Sequence, residues 1–233
     1  MTWQLNVNDI SVSVTPKDIK NLHLAVYPPD GEVRVSVPHW MNENRIRYYV
    51  LSKMAWIKKQ QNNFLAQPRA DAPEFLNMDT HYVWAQHCLL QIHPDSPKNG
   101  IVLDYNILNI FLKGDASKDK MDALLQSWYR QLVAEEGKRR IDYWISVFNL
   151  APVNLYVRHM KTRWGSCAPL KNKILLNTEL AKKPRECLDY VVAHELAHFF
   201  VPNHGENFTH FMDKYLPNWK NTRQLLNSLP LCK

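Results

Sequence analysis

The stretch that most constrains the fold is Val191 to Gly205, which reads VVAHELAHFFVPNHG. If its first part is helical, His194 and His198 lie one turn apart on the same side, where one metal ion can bind both imidazoles. Glu195 lies next to them and can take the proton of an attacking water. This H-E-x-x-H arrangement on a helix is the sequence form of a zinc hydrolase site.

The apolar residues around this motif predict a helix with two different faces. Four of them form one stripe on a helical wheel: Leu188, Val192, Leu196 and Phe199. The mean direction of His194 and His198 lies about 140° away from this stripe. We therefore expect one face to pack on a core and the other to carry the metal ligands. Because a short H-E-x-x-H string also occurs by chance, the flanking sequence is needed to support the assignment of a metal site.

The downstream flank supplies a third imidazole. Pro202 cannot continue a helix, so we expect the chain to turn just after His198 and a further helix to follow. A catalytic zinc uses three protein ligands and one open position, and His194, His198 and His204 would provide these ligands. Three nearby residues are alternatives to His204: Glu206, His210 and Asp213.

A family resemblance rests on separated blocks of sequence: RHMKTRWGSC, KNKILLN, and DYVVAHELAH followed by NHGENF. Together they resemble the YgjP-like metallopeptidases, which are related to the SprT-like proteins and other zincins. The opening third is also similar to that family, through LAVYPPDGEVRVSVP and MAWIKKQ. The resemblance implies a zincin-like α+β fold and zinc-dependent hydrolysis of peptide bonds.

The pattern of apolar residues predicts one domain over residues 1–233 with three parts. Residues 1–112 are expected to be rich in strands, 113–150 to be a helical connector, and 151–233 to be the zinc-binding catalytic part, also largely helical. In the first part, a hairpin around Pro28-Pro29-Asp30-Gly31 is followed by a helix that Asn42 caps. Residues 67–79 form a connector, and 82–92 and 100–112 are strands. In the second part, Gly137 is expected to divide the helical stretch 117–149 in two.

Composition and charge limit the class of protein. The chain has 233 residues, 45% of them hydrophobic and 22% charged, without an apolar run of 18 residues or a recognisable signal peptide. These two features predict a cytoplasmic protein without a membrane partner. Four scattered cysteines, Cys88, Cys167, Cys187 and Cys232, lack C-x-x-C spacing and predict reduced, free thiols. The oligomeric state does not follow from the sequence.

The positive charge is concentrated near the predicted site. Residues 151–233 hold 12 Lys and Arg against 6 Asp and Glu, a net +6, whereas residues 1–150 hold 17 against 16, a net +1. This excess favours anionic partners, either acidic peptide segments or a nucleic-acid backbone. A solvated basic surface would give the same pattern, and no nucleic-acid-binding motif accompanies it.

The block RHMKTRWGSC suggests groups that would contact a substrate. Arg163 could stabilise an oxyanion or bind a substrate carboxylate, and Gly165 lets the backbone pass close to something bulky. We expect Ile174 to Asn177 to be an edge strand that binds substrate backbone, with Ile174 and Asn177 as contact residues. A Ser166 or Cys167 nucleophile is less consistent with the sequence, because no spacing resembles a nucleophile elbow.

The sequence therefore predicts a peptidase that binds one Zn²⁺, with Glu195 as general base and then as acid toward the leaving amine. Three imidazoles also suit other divalent metals. Each histidine needs an acceptor for its second ring nitrogen, and Asp189, Glu186 or a backbone carbonyl could serve. Two other functions stay open: a nucleic-acid-associated metal-dependent hydrolase or binding factor, and a metal protein without catalysis.

Overall fold

The structure, a computed structural model, describes residues 2–27, 30–66, 80–114 and 116–228, without the side chains of residues 65 and 66. The described chain forms two compact units, one before residue 70 and one from residue 70 onward. Each unit has its own hydrophobic core. That a single domain spans residues 1–233 stays a prediction. The connector predicted at 67–79 and Cys232 lie outside the described residues.

The first unit is a four-stranded sheet with two helices. Its elements are β1 (Trp3–Val7), β2 (Ile10–Lys17), β3 (His23–Tyr27), β4 (Glu32–Pro38), α1 (Glu43–Ser52) and α2 (Met54–Ala66). The strand order is β1-β2-β4-β3, and β3 pairs with β4 in the predicted antiparallel arrangement. Gly31 has φ +72°, as expected at this turn, whereas Pro28 and Pro29 lie outside the described residues.

The helical part of this unit starts where the sequence predicts. The Asn42 side chain accepts a hydrogen bond from the Arg45 N–H at 3.0 Å and so caps α1. Ile46, Val50 and Ile57 are fully buried against the strands. The sequence predicts a single helix here, but the structure has two: α1 ends at Ser52, and α2 begins at Met54.

The second unit begins with four strands where the sequence predicts two. They are β5 (Thr80–Val83), β6 (Gln86–His93), β7 (Gly100–Asp104) and β8 (Ile107–Phe111), in the order β5-β6-β8-β7. The predicted strand over 82–92 is wrong because the chain reverses at Trp84 and Ala85, which have φ +50° and +66°. Tyr105 at φ +50° reverses the predicted strand over 100–112 in the same way. These residue types rarely occupy such turns, so the sequence carries no turn signal.

A long helix, α3 (Lys118–Phe148), runs through the second unit without a break. The prediction that Gly137 divides it is wrong. Gly137 is buried, and a Cβ atom there would lie 3.0 Å from Leu176 Cδ1 and 3.4 Å from Leu155 Cδ2. The glycine therefore allows α3 to pack closely on the neighbouring strands.

The last strands form a three-stranded sheet that leads to the predicted metal site. They are β9 (Asn154–Arg158), β10 (Gly165–Ala168) and β11 (Lys173–Asn177). The order is β10-β11-β9, so β11 is the central strand, antiparallel to β10 and parallel to β9. The prediction that Ile174 to Asn177 is an edge strand is therefore wrong.

Three helices complete the second unit: α4 (Arg185–Ala197), α5 (Glu206–Tyr215) and α6 (Trp219–Ser228). With strands dominating before α3 and helices after β11, the α+β fold class is confirmed. None of the described helices combines the length and apolar character needed to cross a membrane.

A first prediction concerns the glycine inside α3. Gly137→Val should lower the free energy of unfolding by about 1–3 kcal/mol, because the added side chain overlaps the Leu176 and Leu155 side chains. Lys138→Val is the matched control, since Lys138 is exposed and this change removes only helix propensity and an exposed ion pair with Asp142, which contributes little. Urea unfolding followed by circular dichroism measures both. Equal losses in the two variants would contradict close packing at Gly137.

Candidate metal centre

The buried face of α4 determines where the two histidines of the H-E-x-x-H motif lie. Leu188, Val192 and Leu196 are fully buried, as the predicted apolar stripe requires. His194 and His198 lie on a half-buried face. Their ring centroids are 5.0 Å apart, with the planes at 87°. The helix ends at Ala197, and His198 occupies the C-cap, so both imidazoles leave the last turn of α4 toward the same space.

The turn after α4 brings His204 to these two rings. Its ring centroid lies 4.9 Å from that of His194 and 4.6 Å from that of His198. One ligand atom from each histidine can be chosen so that all three lie within 4.8 Å of one another. As the sequence predicts, the three rings converge. Glu206 and His210 are exposed outside this group, and Asp213 binds the Trp219 indole N–H at 2.7 Å instead.

Hydrogen bonds orient two of the rings. His198 donates its Nδ1–H to the Val201 carbonyl at 3.1 Å, which leaves Nε2 with its lone pair. His194 Nδ1 lies 3.4 Å from the Tyr190 hydroxyl, one turn earlier on α4. A backbone carbonyl thus serves as one acceptor, as predicted. No hydrogen bond in the described structure joins Asp189 to these rings, and its carboxylate accepts the Trp144 indole N–H at 2.9 Å.

These nitrogens suit a cation. The Nε2 atoms of His194 and His204 lie 2.9 Å apart, and two lone pairs at this distance repel unless a proton or a metal ion lies between them. Burial, with the charges of His198, His204 and Arg223 adding to it, lowers the pKa of His194 to about 3. Burial also lowers the pKa of His204. The cationic, doubly protonated form is thus disfavoured at both rings. Neutral imidazoles are the form that binds a divalent metal ion, so the residues present fit such an ion.

Glu195 lies on α4 in a nearly closed environment, with 8% of its surface exposed. Burial raises the pKa of this carboxyl to about 7, while the positive charge of Arg163 acts in the opposite direction. The backbone of β10 passes directly beside it: a Cβ atom at Gly165 would lie 2.7 Å from Glu195 Oε1 and 2.9 Å from Val191 Cγ1. The prediction that Gly165 permits a close approach of the backbone is confirmed. The group that the backbone approaches is the side chain of Glu195, the predicted general base.

The predicted substrate contacts lie in different environments. Arg163 is exposed, and its charge reaches Glu195. Ile174 is fully buried in the core, and Asn177 is buried with 2% exposure, so neither side chain is available to a substrate. The assignment of Ile174 and Asn177 as substrate contacts is therefore wrong. The Asn177 amide instead donates to the carbonyls of Met160 and Arg163, at 2.7 and 2.8 Å, and holds the loop that carries Arg163.

The strand beside the candidate centre is β10. It pairs with β11 along one edge, and among the described strands none pairs with its other edge. Gly165 brings this strand against Glu195. Of these two strands, β10 and not β11 therefore has the unpaired edge that the sequence-based prediction requires.

Comparison with known proteins agrees with this geometry. A model of the YgjP-like metallopeptidase domain matches residues 20–229. The chain belongs to this family. Family membership makes it a metal-dependent peptidase, so the predicted resemblance and the enzyme class are confirmed.

Other comparisons add little. No curated protein matches the chain significantly. Solved structures that match include the metallopeptidase zymogen jannalysin of Methanocaldococcus jannaschii, at 22% identity and a TM-score of 0.36, over 39% of this chain and 87% of that one. The zymogen abylysin of Pyrococcus abyssi matches at 19% identity and a TM-score of 0.36, over 39% and 90%.

Two residues that affect the candidate metal centre of this YgjP-like protein are not predicted from its sequence. Tyr190 is next to Asp189, one of the three acceptors that the sequence leaves open, but the i to i+4 spacing to His194 would have indicated the tyrosine. Arg223 lies on α6, and its charge affects the pKa of His194, His204 and Tyr190. No local pattern connects α6 to α4, so only the fold reveals this residue.

A second prediction tests the hydrogen bond of Tyr190. Tyr190→Phe keeps the ring but removes the acceptor for His194 Nδ1–H, so metal affinity should fall about 10-fold. Competition with a chelator measures this affinity. The control is Tyr143→Phe, because Tyr143 is exposed on α3 and makes an edge contact with Trp144 only through its ring. Unchanged affinity in Tyr190→Phe would mean that its hydroxyl does not orient His194.

A third prediction concerns Gly165. Gly165→Ala places a methyl group against the Glu195 carboxylate and Val191, so β10 or Glu195 must shift, and kcat/KM should fall by at least about 10-fold with metal content unchanged. Gly100→Ala is the control, since no atom lies within 4 Å of the added Cβ. Peptidase assays with parallel elemental analysis give both quantities. Full activity of Gly165→Ala would show that the close contact is not required.

Proposed function

We propose that this protein hydrolyses peptide bonds in protein or peptide substrates, with one Zn²⁺ held by His194, His198 and His204 and with Glu195 as general base. The observation that carries the proposal is the convergence of three imidazoles, with one ligand atom of each within 4.8 Å of the others, beside the end of the helix α4 that also carries Glu195. A catalytic zinc site of this type keeps one open coordination position.

The histidines are prepared to bind a cation. Burial disfavours the protonated form of His194 and of His204, so neither ring needs to lose a proton at neutral pH before it binds a metal. The Val201 carbonyl fixes the tautomer of His198 that leaves Nε2 free. A bound zinc ion would supply Lewis acidity, lowering the pKa of a coordinated water toward ~7 and polarising the scissile carbonyl.

Glu195 would transfer the proton in this reaction. A carboxyl with a pKa of about 7 accepts a proton from the attacking water and then donates it to the leaving amine, because neither form is strongly preferred near neutral pH. Its position against the β10 backbone restricts the carboxylate to a small region. Arg163, whose charge reaches Glu195, remains the candidate for stabilising an oxyanion or binding a substrate carboxylate.

The remaining expectations rest on the sequence alone. A nucleic-acid-associated role stays a prediction from the +6 charge of residues 151–233, and no specific contact in the described structure favours it over a peptidase. A cytoplasmic location is likewise a prediction, made because the sequence shows neither a long apolar run nor a recognisable signal peptide. Of the four cysteines, Cys88, Cys167 and Cys187 are free thiols in the described structure.

A fourth prediction separates metal binding from catalysis. Glu195→Gln should retain the metal but lower kcat by about 10²–10⁴-fold, because the amide cannot accept the proton of the water. His204→Ala should lose most of both metal and activity, since it removes one of three ligands. Elemental analysis of the purified variants and digestion of a broad peptide library measure the two properties.

The matched control for the ligand assignment is His210→Ala. His210 is exposed on α5, six residues after His204, and does not belong to the converging group. This variant should keep both metal and activity. If His210→Ala loses the metal and His204→Ala retains it, the ligand set is wrong, and a fully active Glu195→Gln variant would remove Glu195 from the mechanism.

A further inference from the structure

A groove of about 470 Å³ lies between α3 and β9. Its lining includes Ala134 and Ile141 of α3 together with Leu155 and Val157 of β9. No described residue of β11 lines the groove, although β11 pairs with one edge of β9, so the groove lies beside the other edge. This edge is at the opposite end of the strand order from β10, and no residue of the candidate metal centre lines the groove.

The backbone of β9 presents hydrogen-bonding groups along this edge. In a strand, the residues that bond to one neighbour alternate with residues whose N–H and C=O point to the opposite side. Asn154 is paired with Lys173, and its N–H donates to the Asn172 carbonyl at 3.0 Å, so Asn154 points toward β11. The N–H and C=O groups of Leu155 and Val157 therefore point toward the outer edge. Among the described strands, none pairs with this edge.

The floor of the groove is apolar. Ile141 is buried, and the side chains of Leu155 and Val157 are half-buried. Leu155 packs on α3, since a Cβ atom at Gly137 would lie 3.4 Å from its Cδ2. Ala134 is half-buried and has a small side chain, which leaves room in the groove. A free strand edge beside an apolar groove suits an added strand, because the backbone supplies hydrogen bonds and the groove accepts alternate side chains.

The charged residues of the groove favour an acidic occupant. Arg130 and Lys138 are exposed on α3 and line the groove together with Asp142. Asp142 pairs with Lys138 at 3.5 Å, whereas no carboxylate of the described residues forms an ion pair with Arg130. An Asp or Glu side chain in the occupant would pair with this guanidinium. A second copy of this chain would instead bring the same unpaired positive charge.

We propose that this groove binds an extended, acidic segment of a partner protein. The segment adds to the outer edge of β9 as a strand, places alternate apolar side chains in the groove and pairs an Asp or Glu side chain with Arg130. This docking site is separate from the metal centre, so the inference does not rest on the peptidase function proposed above.

The first test is selection of a display library of random dodecapeptides on the Glu195→Gln protein, which should not cleave what it binds. We expect the enriched peptides to alternate apolar and polar residues and to contain Asp or Glu. Fluorescence anisotropy then gives the Kd of synthetic copies. Ala134→Phe fills the groove and should weaken binding at least about 10-fold. Ala123→Phe is the matched control, because Ala123 is exposed on α3 outside the groove.

A charge exchange tests the role of Arg130. Arg130→Glu should weaken binding of an acidic peptide about 10-fold, and the same peptide with Lys in place of its acidic residue should bind Arg130→Glu more tightly than the wild type. A damaged protein does not gain affinity, so misfolding cannot produce this reversal. Arg139→Glu is the control, since Arg139 is exposed on α3, pairs with Glu136 and does not line the groove.

Amide hydrogen exchange measured by NMR locates the bound peptide. The amides of Leu155 and Val157 point to the outer edge, so their exchange should slow about 10-fold or more when the acidic peptide is bound. The amides of β10 should not change. Protection of β10 instead of β9 would place the peptide at the metal centre and overturn the proposal.

Other outcomes would also overturn it. These are a selection that yields no peptide weakened by Ala134→Phe, and an Arg130→Glu variant that does not reverse the charge preference. A dimer that sedimentation detects without peptide, and that Ala134→Phe abolishes, would show that a second copy occupies the groove. None of these results affects the peptidase function, which digestion of a peptide library by the wild type tests separately.

Discussion

The close packing of β10 on α4 is the constraint on which the candidate centre depends. Because residue 165 has no Cβ, the strand backbone comes within van der Waals distance of Glu195 and Val191. Burial raises the pKa of the Glu195 carboxyl to about 7, and this strand forms part of the surroundings that bury it. A glycine about 30 residues earlier in the chain thus contributes to the environment of the group in the motif that can exchange a proton near neutral pH.

Much of the centre follows from short-range signals, which is why the sequence predicts it. The spacing of His194 and His198 is a property of any helix, and the buried side of α4 fixes which way they point. The helix ends at Ala197, five residues before Pro202, and the short turn that follows brings His204 to the other two rings. Gly165 carries a weaker signal: it predicts a close approach but not which residue approaches.

What the sequence does not reveal depends on contacts between distant segments. The order β10-β11-β9 places the apolar strand β11 in the middle, and its alternation alone is compatible with a central or an edge position. From the sequence alone Gly137 resembles a helix break, because the leucines that pack against it come from later strands of the chain. The reversals at Trp84 and Tyr105 use residues that disfavour positive φ, so the surrounding sheet, not local preference, determines them.

The four hydrogen bonds of Asn177 leave this position almost no freedom to vary. Its amide donates to two carbonyls, those of Met160 and Arg163, and its oxygen accepts from the N–H groups of Met160 and Glu179. Aspartate has the same shape but cannot donate, and glutamine donates but is one methylene longer. Either replacement would therefore loosen the segment that carries Arg163, while the three imidazoles, which lie on α4 and on the turn after it, would keep their positions.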